Sequence, residues 1–119
     1  MIFKHSGLYI DKSPVHGWGV FIDADVKEGD LIEEAPCAGH KDIGSHINIY
    51  FPYLMPMRLV ENGHGWFIPS GFSIHLNHSD DPNIRWEVDY EREVALFYAT
   101  RDINSKEELF INYNSWKIQ

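Results

Sequence analysis

Leu76-Asn77-His78-Ser79-Asp80-Asp81-Pro82-Asn83 is a dense polar stretch entered directly from an apolar segment and closed by a Pro-Asn pair. Loops with so many side-chain donors and acceptors either satisfy their own backbone or hold a ligand. Taken singly, Asn77 reads as a turn residue and His78 as a histidine satisfied in the core. As a string they are far more specific. On either side lie short β-branched and aromatic pieces, Trp66-Phe67-Ile68 before and Arg85-Trp86-Glu87-Val88 and Val94 to Ala99 after. All three have strand composition.

Toward the C-terminus, Ser105-Lys106-Glu107-Glu108 matches the helix capping box, yet Leu109-Phe110-Ile111 after it reads as a strand, so no helix is expected there. Tyr113 closes that stretch, and a lone tyrosine there would be a core residue. Toward the N-terminus, His16-Gly17-Trp18-Gly19-Val20-Phe21 sets two glycines around an aromatic residue just before a strand, where backbone groups can approach a ligand closely. The third glycine and the following helix of a dinucleotide fingerprint are missing. By itself the segment reads as a glycine-flanked hairpin turn. Leu8-Tyr9-Ile10 and Leu31-Ile32 add two further strands, and the residues from Asp25 to Ile32 faintly echo those from Asp102 to Phe110. The best helical window, Ser45 to Val60, contains Pro52 and Pro56, which restrict any helix to short pieces.

The pattern therefore predicts a mainly β fold in a single domain, 1–119, and 44% hydrophobic residues suffice for an independent core. Cys37 is the only cysteine, which excludes an internal disulfide and a cysteine-rich zinc cluster. The seven histidines include no close helical pair, so no metal is expected. Acidic residues (18) outnumber basic ones (10), and the resulting charge of −8 repels phosphates and favours cationic ligands. Direct nucleic-acid binding is not expected; a merely solubilising acidic surface remains the alternative. The longest nearly unbroken apolar stretch, Phe51 to Met57, falls far short of the ~18 residues that span a bilayer, so no membrane partner is expected. Met1 to Gly7 lacks the basic start and apolar block of a secretion signal, which implies a cytoplasmic protein.

In this order and at these separations, the three polar islands resemble the SET domain of protein lysine methyltransferases, from about Leu8 to Trp116. Lys12-Ser13-Pro14 through Gly17-Trp18-Gly19-Val20-Phe21 is similar to the family's opening Gly-x-Gly motif, and Gly29 to Glu34 to the strand that follows. Asn77-His78-Ser79 with Pro82-Asn83 resembles the Asn-His-x-x-x-Pro-Asn signature, and Glu107-Glu108-Leu109 with Tyr113 the closing Glu-Glu-Leu-x-x-x-Tyr motif. The chain departs from the family at Lys106, where a glycine is usual, at Asn112, where an acidic residue is common, and in having no cysteine triplet after the domain. It looks like a minimal SET protein of the compact viral, phage or bacterial type, which would place it in a host nucleus if viral.

The resemblance implies several short curved sheets with a C-terminal pseudoknot and few short helices. It also implies methyl transfer from S-adenosyl-L-methionine to a lysine of a basic protein or peptide, a histone-like tail among them. Gly17, Trp18, Gly19, Asn77 and His78 would hold the cofactor, Tyr113 would be catalytic, and Trp116 would cover the adenine. Tyr50 and Trp86 are the candidates for the lysine channel; ordinary packing is the alternative for both, since the chain carries seven Phe, six Tyr and four Trp. Such a transfer requires no metal and rests on positioning and water exclusion. A catalytically weak SET-like module that binds a peptide or partner stays open beside the enzyme, as does a homodimer.

Overall fold

A computed structural model describes residues 3–40, 55–59, 63–69, 71–89 and 91–112. Among the described residues ten strands follow along the chain: β1 Phe3–Lys4, β2 Leu8–Lys12, β3 Trp18–Ile22, β4 Leu31–His40, β5 Met55–Leu59, β6 Gly63–Pro69, β7 Asn77–His78, β8 Ile84–Asp89, β9 Val94–Ala99 and β10 Glu108–Ile111. A 3-10 turn, Phe72–His75, leads into β7. The architecture is mainly β, built from small sheets, as the sequence pattern and the resemblance both imply.

The strands form two groups, β5-β6-β4-β9-β8 with β1 added on β4, and β2-β3-β10-β7. β4 changes partner along its length, pairing through Leu31–Pro36 with β9 and through Cys37–His40 with β6. Pro36 stands at the change, where a residue without an N–H interrupts the ladder least. Alternation on β8 and β9 turns Ile84, Trp86, Ala95, Phe97 and Ala99 inward; β3 and β10 supply Val20, Ile22, Leu109 and Ile111 from the other group. Both groups thus close on one shared core.

The expected strands at Leu8, Gly19, Trp66, Arg85, Val94 and Leu109 all exist, and the false capping box indeed precedes a strand. Two expectations change. The chain from Met55 to Leu59, inside the best helical window, is an edge strand on β6, a position where Pro56 can be accommodated because its missing N–H is least needed. The short strand at Leu31-Ile32 continues through Glu33 and Glu34 to His40. Glu33 is only 3% exposed, and its carboxylate accepts from the backbone N–H groups of Phe72 (3.0 Å) and Ser73 (2.9 Å) and from the Ser73 hydroxyl. A buried carboxylate so satisfied is compatible with the strand's interior, and it pins the turn that delivers Asn77. The echo between Asp25–Ile32 and Asp102–Phe110 has a physical counterpart: Val26 and Ile103 exchange both backbone hydrogen bonds, each 2.9 Å.

Candidate active site

The opening motif folds as a hairpin. β2 and β3 pair from Leu8 opposite Ile22 to Lys12 opposite Trp18, and the Ser13 N–H donates to the Gly17 carbonyl at 2.8 Å to close the turn. Gly17 takes φ +48°, a left-handed conformation that glycine adopts without cost, and a Cβ there would meet none of the described residues within 4 Å. Trp18 is 54% exposed, with the Lys12 ammonium 4.9 Å from its ring centroid.

β10 runs between this hairpin and the polar stretch. It pairs antiparallel with β3 (Glu108 opposite Phe21, Leu109 opposite Val20) and parallel with β7 (Phe110 opposite Asn77, Ile111 opposite His78). Two asparagines staple it in place. The Asn83 side chain, 2% exposed, donates to the Glu108 carbonyl at 2.9 Å and accepts from the Phe110 N–H at 2.7 Å. Asn77, 5% exposed, directs its Nδ2 at the carbonyls of His16 (2.9 Å) and Trp18 (3.3 Å) and at Glu108 Oε2 (3.0 Å). Beyond β7, the Ser79 N–H donates to the Ile111 carbonyl at 3.0 Å.

Sixty residues of sequence separation thus collapse onto one carboxamide. Two backbone carbonyls and one carboxylate gather there, beside Gly17. These acceptors, which Asn77 and Ser13 engage, give the hairpin end a negative potential that favours a positively charged ligand.

A SET domain family profile matches residues 17–114. The chain belongs to the SET domain family. Among its relatives are the mouse and human histone-lysine N-methyltransferases specific for H3 lysine 36, each 29% identical over 113 residues, covering 82% of this chain and 4% of the relative. The Plasmodium falciparum variant-silencing SET domain-containing protein is 30% identical over 121 residues, covering 90% of this chain and 5% of its own length. This SET domain therefore spans a small fraction of the curated relatives it matches. Among solved structures, a Plasmodium falciparum protein described as a candidate histone methyltransferase superposes with a TM-score of 0.73 at 28% identity, covering 92% of this chain and 94% of that one. A humanized Chaetomium thermophilum Polycomb Repressive Complex 2 superposes at 0.69 with 26% identity, covering 97% of this chain and 16% of that one.

Of the sequence-nominated residues, the fold gathers Gly17, Trp18, Gly19 and Asn77 at the hairpin end. His78 lies next to Asn77 on β7, half-exposed, with Nε2 2.9 Å from the Asp80 carboxylate. Trp86 is 7% exposed and packs in the shared core on β8. Tyr50, Tyr113 and Trp116 lie outside the described residues.

Glu108 and Asn83, which the sequence shows only as positions of the two motifs, also bear on the site. The signal for Glu108 was alternation: with Leu109 and Ile111 facing the core, it and Phe110 face the other way. No local window reveals that Ser13, 95 residues earlier, meets it there. Lys106, the departure from the family's glycine, takes φ +72°, and its N–H donates to the Ile22 carbonyl at 2.6 Å. A left-handed backbone at this position suits glycine, and the lysine adopts it at a conformational cost.

Proposed function

We propose that this SET domain is an S-adenosylmethionine-dependent protein lysine N-methyltransferase acting on a basic protein tail. The observation that carries the reading is the threefold focus of Asn77 on His16, Trp18 and Glu108, which joins the opening motif, the asparagine signature and the closing strand in one place. When bound, S-adenosylmethionine supplies an electrophilic methyl group on a sulfonium. The hairpin carbonyls and Asn77 would orient its cationic end, His78 would border it, and Trp116 would shield the adenine from water.

The remaining task is to deliver a neutral amine. A lysine with pKa near 10.4 is neutral in only roughly one molecule in 2,500 at pH 7. Aromatic walls lower that pKa by desolvation, and a neighbouring positive charge lowers it further. Tyr50 and Trp86 are proposed for these walls, although Trp86, 7% exposed, is packed mainly in the core. Tyr113, which follows β10 in the chain, is proposed to align the amine through its hydroxyl. The mouse and human relatives are specific for histone H3 lysine 36 by name; for this chain the proposal is the class, a basic tail attracted by an excess of 18 acidic over 10 basic residues.

Calorimetric titration with S-adenosylmethionine tests the reading. The wild-type chain is expected to bind without added metal. Asn77→Ala removes the donor shared by two carbonyls and a carboxylate and is expected to weaken binding by roughly 1 to 3 kcal/mol. Absence of binding by the wild type at saturating cofactor would remove the methyltransferase reading. Unaltered affinity in Asn77→Ala would move the cofactor site elsewhere.

A further inference from the structure

We propose that Glu108 is a positioning residue that locks the cofactor hairpin to the closing strand, so that cofactor affinity depends on it although it need not touch the cofactor; this rests on the methyltransferase reading above. Both of its carboxylate oxygens accept from the Ser13 hydroxyl, at 2.8 and 2.9 Å. Having given its single proton to Glu108, Ser13 Oγ accepts from the N–H groups of Val15 (3.0 Å) and His16 (3.2 Å) and so shapes the turn. The His16 carbonyl then accepts from Asn77, and Asn77 donates back to Glu108. The bonds form a closed ring through Glu108, Ser13, His16 and Asn77.

Only an acceptor without protons fits the Glu108 position. Its described partners are a hydroxyl and an amide N–H, both donors, so a glutamine would turn its own NH2 toward one of them. The ring also explains Gly19, where a Cβ would lie 2.4 Å from Glu108 Oε2 and 3.1 Å from the Ser13 Cβ. The carboxylate occupies the space that any other residue would fill. Because Glu108 opens β10, the same carboxylate fixes the start of the strand that leads to Tyr113.

The test uses the full chain, its Glu108→Gln and Ser13→Ala variants, and the double variant. Cofactor affinity is measured by calorimetry, and kcat and peptide KM are measured with a lysine-rich peptide at saturating cofactor. Glu108→Gln is expected to weaken cofactor affinity tenfold or more while peptide KM moves less than twofold. Ser13→Ala is expected to weaken it about threefold, and the double variant to be no weaker than Glu108→Gln alone, since both break one ring. Thermal unfolding confirms that the folded fraction is being titrated. Cofactor affinity within twofold of wild type in folded Glu108→Gln, a defect confined to peptide KM, or additive losses in the double variant would each overturn the proposal. Should Glu108→Gln not fold, Ser13→Ala decides alone, and unchanged affinity there overturns it. Failure of the wild type to bind cofactor is a different outcome, and it removes the methyltransferase reading together with this one.

Discussion

Replacing Asn83 with alanine removes two of the hydrogen bonds that hold β10 on the side of the polar loop. The side chain is 2% exposed and occupies two backbone groups of that strand, the Glu108 carbonyl at 2.9 Å and the Phe110 N–H at 2.7 Å. Leaving a buried donor and a buried acceptor unsatisfied costs about 1 to 3 kcal/mol each, so a loss of roughly 2 to 6 kcal/mol is expected. Against a domain stability of about 5 to 15 kcal/mol that is a large fraction. At ~4 °C per kcal/mol for a chain of this size, Tm should fall by roughly 8 to 24 °C. Asn83→Asp keeps the acceptor for Phe110 but sets an oxygen against the Glu108 carbonyl, so it should lose roughly half as much or more. Urea unfolding of the three proteins, read by circular dichroism, measures the series. A loss below about 1 kcal/mol in Asn83→Ala would refute the reasoning, because it would mean that β10 is held by its ladders and core contacts alone.

Lys106→Gly should stabilise the chain: relief of a left-handed lysine at φ +72° is worth about 1 to 2 kcal/mol, and the added freedom of glycine in the unfolded state returns roughly 0.5 to 1. A Tm raised by a few degrees with unchanged cofactor affinity is the expected result, and a lowered Tm would show the turn to be unstrained. Burial, and then its hydrogen bond with Glu87, pushes the Tyr98 phenol above its ordinary value of 10.0. The fold thus favours the neutral phenol, and this contribution is complete below the unfolded pKa and lost as pH rises through the folded one. Denaturant stability should therefore fall more steeply above pH ~10 in the wild type than in Tyr98→Phe, and parallel profiles would contradict the assignment.

The sequence disclosed most where local pattern and tertiary role agree. Val94 to Ala99 is a short apolar and aromatic run, and it is a strand lying between β4 and β8. It disclosed least where a distant partner reverses a local preference. Two acidic residues in a row, Glu33 and Glu34, give no local sign of burial, yet Glu33 is buried because N–H groups 39 and 40 residues away reach it. Met55 to Leu59 has no strand signature of its own and becomes one by pairing with β6. In the site, Asn77 and the glycines were legible as motif residues, whereas the ring through Ser13 and Glu108 exists only once β10 lies beside the hairpin. Lys106 was visible as a departure, and only its φ reveals the left-handed backbone that suits glycine there.

The central claim is that this site transfers methyl groups to lysine, and the most direct measurement is mass spectrometry of a lysine-rich peptide after incubation with the chain and S-adenosylmethionine. The account predicts a mass increase on lysine at a rate that rises between pH 7 and about 9, as the substrate amine loses its proton, and that drops at least roughly tenfold in Tyr113→Phe with cofactor affinity retained. No mass increase from a wild-type chain that demonstrably binds the cofactor, or an equal rate from Tyr113→Phe, would contradict it.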